Sequence, residues 1–231
     1  MSTSSSRILI IEDEFALAEI VVDYLAREGF TCIHHTTGFH CVETIKTENI
    51  DLVLLDVMLP DLDGFEVCKM IRKTLSTPII MVTARSEAED MEEAFLAGAD
   101  DYFEKSPWQP ERLMARINNS LRVPKPIETD ADVLKIGSIT LDIVGHEVRR
   151  GDEKIALTPL EFKLLSTLAE KPKMVFSREQ LLKDVWDYPY QGDTRLVNVH
   201  IQRLRSKIED DPDDPKIVVT VRGIGYKAGL N

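Results

Sequence analysis

No apolar run in the 231 residues approaches the length that crosses a bilayer. The first residues, Met1-Ser2-Thr3-Ser4-Ser5-Ser6, lack the basic-then-apolar order of a secretion signal and read as a frayed tail. Both absences set membrane insertion and export aside, and the cytoplasm is the expected location. Cysteine is scarce: Cys32, Cys41 and Cys68 are odd in number and form no C-x-x-C pair, which excludes a disulfide framework and fits reduced thiols. Positive charge is also short, with 28 Lys and Arg against 40 Asp and Glu and a net charge of -12. That deficit is uneven: residues 1–122 hold 11 basic against 22 acidic side chains, whereas 123–231 hold 17 against 18. A pI of 4.9 speaks against nucleic acid for the whole chain. Binding depends on local charge, however, so the second half is judged separately.

What is present divides the chain into a tail over 1–6, a domain over 7–122, a linker over 123–132 around Pro124 and Pro126, and a second domain over 133–231. In the first domain, apolar runs at Ile8 to Ile11, Leu52 to Leu55 and Ile79 to Val82, with weaker ones near Thr31 to Ile33 and Asp101 to Phe103, read as buried strands. Between them Phe15, Ala16, Ile20, Val21 and Leu25, then Val42 and Ile45, Val67 and Ile71, and Leu113 and Ile117 recur at helical spacing. Five strands alternating with five helices predict a parallel sheet covered on both faces. The first strand runs into Glu12-Asp13, the third into Asp56, the fourth into Thr83 and the fifth into Lys105. Ligands collect at these carboxyl ends, and a flavodoxin-like order brings the three carboxylates together. Their repulsion invites a hard divalent cation, and oxygen ligands beside a phosphate suit Mg2+.

This ordered set resembles the receiver domain of two-component response regulators over residues 7–122. The resemblance implies that Asp56 accepts a phosphoryl group from a sensor histidine kinase, and that Glu12, Asp13, Asp56 and the backbone carbonyl of Met58 hold Mg2+. It implies that Lys105 neutralises the transferring group, and that Thr83 and Tyr102 form the switch. The bland alternative has Thr83 merely ending a strand and Tyr102 half-buried. The chain departs from the family twice. Lys105-Ser106-Pro107 carries one residue more than the usual Lys-Pro, so any cis bond should move to Ser106-Pro107. On the face where relatives dimerise through ion pairs, Asp101 with Arg116 keeps one pair. Met91 with Arg112 and Leu96 with Asn118 lose the other two, which predicts weak or altered receiver dimerisation, or use of that face against the effector domain. A cluster of Cys32, His34, His35, His40 and Cys41 matches no zinc spacing and reads as an edge strand and loop.

In the second domain, short runs at Leu134 to Ile136, Ile139 to Ile143, Glu147 to Arg149 and Lys154 to Leu157 predict a small antiparallel sheet. Thr158-Pro159-Leu160-Glu161 and Ser177-Arg178-Glu179-Gln180 are helix-start boxes, and Asp193 is expected to cap a third helix to about Glu209. Ile217 to Val221 and Tyr226-Lys227 read as a closing hairpin. On the third helix Val197, Ile201, Leu204 and Ile208 make the inward stripe, leaving Arg195, Val199, Gln202 and Ser206 opposite. Four basic residues and no acid lie between Arg195 and Lys207.

Three helices and a hairpin make a winged helix-turn-helix, and Leu157 to Phe162, Asn198 to Ile201 and Thr220 to Tyr226 resemble the effector domain of the OmpR/PhoB subfamily. The resemblance implies double-stranded DNA as partner, met by Arg195, Leu196, Val199, His200 and Arg203, with Thr220 on phosphate and Arg222 in the minor groove. Arg205, off that face, should meet backbone or an intramolecular acid. Trp186 to Gly192 looks like the loop that relatives offer to RNA polymerase, and a homodimer on DNA is implied. The expectation is thus a phosphorylation-controlled transcriptional regulator rather than an enzyme. The alternatives are a DNA-binding regulator whose receiver only docks, and a phosphatase-like hydrolase, which would need an acid where Met58 stands.

Overall fold

The computed structural model describes residues 5–84, 88–121, 133–186 and 194–229. The chain divides into two compact units, Met1–Leu121 and Arg122–Asn231. The expected linker, the cap at Asp193 and most of the loop before it lie outside the described residues.

In the first unit the unalternated runs become strands β1 (Arg7–Ile11), β2 (Thr31–His35), β3 (Leu52–Leu55), β4 (Ile79–Thr83) and β5 (Asp101–Glu104). They pair in parallel in the order β2-β1-β3-β4-β5, the flavodoxin-like winding. All four residues of β3 are buried, as a central strand between two helical layers requires. Alternate strand residues Ile8, Ile10, Leu52, Leu54, Ile80, Val82 and Phe103 form one core. Against it pack Val21 and Leu25 of helix α1 (Phe15–Arg27) and Leu113 and Ile117 of α5 (Pro110–Leu121). Helices α2 (Cys41–Thr47), α3 (Gly64–Arg72) and α4 (Ala88–Ala97) complete the unit. The inward stripe of α1 is Ala18, Val21 and Leu25, spaced three and four apart. Phe15 and Ile20, expected on that face, are 67% and 54% exposed because they fall outside this stripe.

The second unit opens with an antiparallel sheet of β6 (Val133–Ile136), β7 (Ile139–Asp142), β8 (Glu147–Arg150) and β9 (Glu153–Ile155). Helix α6 (Pro159–Glu170) starts at the capping box: Glu161 N–H donates to Thr158 Oγ1 at 3.3 Å and Thr158 N–H to Glu161 Oε2 at 2.9 Å. The second box holds too, with Ser177 N–H on Gln180 Oε1 at 2.8 Å before α7 (Arg178–Trp186). After α8 (Arg195–Ile208) the chain closes as β11 (Val218–Val221) and β12 (Gly225–Ala228). A two-residue strand, β10 (Phe176–Ser177), adds to β12 and was not evident from its sequence. Gly225 is required there, since a Cβ would run into the carbonyl of Phe176. Among the described residues no helix is long and apolar enough to cross a membrane.

Candidate functional site

At the carboxyl edge of the first sheet, backbone pairing fixes the acids before their side chains act. Asp56 N–H donates to Ile11 carbonyl at 2.9 Å, and Glu12 N–H to His35 carbonyl at 2.9 Å, so β1 and β3 deliver Glu12, Asp13 and Asp56 side by side. Gly64 lets the following turn close: its N–H reaches Val57 carbonyl at 2.8 Å, and a Cβ would strike the carbonyl of Asp56. Lys105 N–H bonds Thr83 carbonyl at 2.8 Å, which aims the side chain back across the sheet edge. Its Nζ then lies 2.7 Å from Asp56 Oδ2 and 2.7 Å from Glu12 Oε2. The extra Ser106 therefore does not displace the ammonium. The Ser106–Pro107 peptide is cis, at the expected bond.

Burial dominates the electrostatics. It raises the pKa of Glu12 from 4.5 to about 7, outweighing the ion pair with Lys105 that favours the charged form. Burial also disfavours the Lys105 charge, but hydrogen bonds to Asp56 and Glu12 more than compensate, and its pKa is raised. Oxygens of Glu12, Asp13 and Asp56 lie within 4.8 Å of one another, the only such grouping of metal-binding side chains among the described residues. An all-oxygen donor set of this kind fits Mg2+. The cysteines and histidines of 32–41 do not converge: His34 Nε2 is 2.8 Å from Glu12 carbonyl, His35 faces Thr44, and Cys41 is fully buried. Thr83 and Tyr102 are buried at 0% and 3% on neighbouring strands, two residues apart in register. Asp101 and Arg116 pair within the same chain, at 2.5 Å and nearly buried. Met58 is exposed, with its N–H 3.3 Å from Asp56 Oδ1.

On α8 four residues expected at DNA are wholly or partly buried within the unit. Leu196, Val199 and His200 are 6%, 8% and 0% exposed, because the helix buries a face wider than the Val197-Ile201-Leu204-Ile208 stripe. The His200 ring packs edge-on to Trp186 at 5.2 Å, and Trp186 is itself fully buried, so that end of the polymerase-like loop is core. Arg203 is drawn inward: its guanidinium is 3.5 Å from Glu161, a wholly buried carboxylate that Lys207 also meets at 2.6 Å. A buried acid needs such partners, which no local pattern reveals. Arg205 donates to Val218 carbonyl at 2.6 and 2.9 Å and to Thr220 Oγ1 at 2.8 Å, so it meets protein backbone and a hydroxyl rather than an acid.

The exposed positions are Arg195, Gln202 and Ser206 on α8 and Thr220, Arg222, Gly223 and Ile224 on the hairpin. Between helix and hairpin runs a groove of about 620 Å³ lined by Asn198, Gln202, Arg205, Thr220 and Arg222, with Asp213 and Asp214 on its rim. Asn198 and Gln202 were not singled out as contacts, although the exposed spacing of seven from Arg195 to Gln202 marked the second.

Residues 8–118 match the response regulator receiver domain and 152–228 the C-terminal domain of transcriptional regulatory proteins. The chain is 45% identical to the DNA-binding response regulator MtrA of Mycolicibacterium smegmatis and 44% to that of Mycobacterium tuberculosis, in each case over 99% of both chains. A solved RitR mutant is 32% identical, with a TM-score of 0.74 over 98% of this chain and 100% of that one. With carboxylates and lysine gathered at one sheet edge of the first unit and a winged helix in the second, the chain belongs to the OmpR/PhoB-type response regulators, the phosphorylation-controlled DNA-binding regulators of transcription.

Proposed function

We propose that Asp56 is the phosphoacceptor of this regulator and that the groove between α8 and the hairpin carries its DNA contacts. The observation behind the first half is Lys105 Nζ at 2.7 Å from Asp56 beside two further carboxylates. An Asp56 oxygen attacks the phosphorus of a phosphohistidine on the sensor kinase. The O–P bond forms as the P–N bond breaks, and the electron pair stays on the departing imidazole. Lys105 is within reach of the oxygens of a group attached there and neutralises them. Glu12, Asp13 and Asp56, with the carbonyl of Met58 by family resemblance, would hold Mg2+, which supplies further positive charge to the phosphoryl oxygens. Thr83 and Tyr102 are the switch pair, and the receiver assists only its own phosphorylation and hydrolysis. Arg195, Thr220 and Arg222 hold phosphate and minor groove.

The docking-only alternative drew on a displaced lysine loop, and that motive is gone once Lys105 reaches Asp56. Incubation with acetyl phosphate and Mg2+, followed by intact mass, is expected to add one phosphoryl group to wild type. Asp56→Asn, or wild type with chelator, should add none. Equal labelling of Asp56→Asn would move the acceptor elsewhere.

A further inference from the structure

We infer that Gln202 is a sequence-reading residue of the DNA-binding face and that it recognises adenine. The inference rests on the DNA-binding reading above and names the base contact within it. Basic side chains of α8 are engaged inside the unit: Arg203 and Lys207 on Glu161, Arg205 on Val218 and Thr220. Leu196 and His200 are buried. The helix therefore meets a duplex mainly through polar side chains, of which two are amides one turn apart in the groove, Asn198 and Gln202.

These amides are not equivalent. Asn198 Oδ1 already accepts from Arg178 Nε at 2.8 Å and from Tyr226 Oη at 2.8 Å, while both cation and phenol are fixed by the Arg178 guanidinium stacked 5.2 Å over the Tyr226 ring. Its acceptor is occupied, so Asn198 offers a duplex only its N–H donors, which suit a phosphate or any base acceptor. Gln202 is exposed, and among the described residues no side chain hydrogen-bonds its amide. It alone of the two keeps donor and acceptor together. Adenine presents N7 and N6–H₂ side by side in the major groove, and one amide satisfies both.

The test is selection from a pool of duplexes with a randomised central segment, using full-length wild type, Gln202→Ala and Gln202→Glu with beryllofluoride and Mg2+. Wild type should enrich adenine at one position of each half-site. Gln202→Ala should relax preference there by about tenfold and leave the other positions unchanged. Gln202→Glu, an acceptor only, should move the preference to cytosine. An unchanged profile, or a uniform weakening without altered base preference, overturns the assignment to Gln202 while DNA binding stands. Failure of wild type to retain any duplex removes both.

Discussion

Glu12 is a carboxylic acid kept partly neutral at physiological pH by its own burial, in a cluster whose chemistry needs it ionised. The sign of its effect on stability follows from where the proton resides. An unfolded chain releases it near pH 4.5, whereas the folded protein holds it to about 7. Between these values the folded state binds more protons, so raising the pH across the window favours unfolding. His35 and His146, whose pKa values are lowered by burial, pull in the opposite sense, so the wild-type curve alone is ambiguous. Comparison with Glu12→Gln isolates the carboxyl. In metal-free protein, the urea midpoint of wild type should fall relative to Glu12→Gln as the pH rises from 5 to 7.5, and Mg2+, which binds the ionised carboxylate, should recover the loss. Parallel curves for the two proteins would show that the Glu12 proton is not held.

The last turn of α8 and strand β11 behave as one element. Glu209, 7% exposed, accepts from the N–H groups of Lys216, Ile217 and Val218 at 2.8 to 3.0 Å. Four residues earlier Arg205 grips the Val218 carbonyl. Helix α8 and its cap thereby hold the hairpin at both donor and acceptor. Glu209→Gln leaves one acceptor oxygen for three donors and should lower stability by about 2 kcal/mol in urea unfolding, against less than about 0.5 for the exposed Asp213→Asn. A loss no larger than that of the control would mean the hairpin is held by its apolar side chains alone. This element also marks what sequence can and cannot convey. Strand runs such as Leu52 to Leu55, the box at Thr158 and the carboxyl-end acids were legible, because period, capping and strand position are local signals. The ion pair of Arg203 was not legible because Glu161 lies on another helix, and nothing near Arg203 announces a buried acid. The burial of Leu196, Val199 and His200 was not legible either, because the apolar stripe marks the centre of the buried face, while its width depends on α6 and α7. Spacing alone placed Arg195, Val199, Gln202 and Ser206 outward, and all but Val199 are exposed.

Phosphoryl chemistry and DNA contact fall in different units of the chain, so regulation is a free-energy coupling between two sites. Such coupling is reciprocal: whatever factor one ligand adds to the affinity of the other is returned in full. That gives a test of the whole molecule that needs no knowledge of the path between units. Beryllofluoride with Mg2+ stands in for the phosphoryl group without a covalent bond, so both affinities are true equilibria. If saturating beryllofluoride tightens binding of a selected duplex by about tenfold, within the usual range for coupled sites, the same duplex should tighten beryllofluoride by the same factor. DNA affinity is measured by anisotropy of a labelled duplex. Beryllofluoride affinity is read from quenching of Trp108, whose ring packs edge-on to Phe103 at 6.0 Å two residues beyond Ser106, with Trp186→Phe to silence the other unit. Salt is held constant, because phosphate contacts make every DNA affinity salt-dependent. Linkage requires equal factors, so unequal ones would show that one of the two affinities is not an equilibrium, while the size of the shared factor measures the coupling. A duplex affinity indifferent to saturating beryllofluoride would leave two independent modules on one chain and restore the docking-only receiver as the better account.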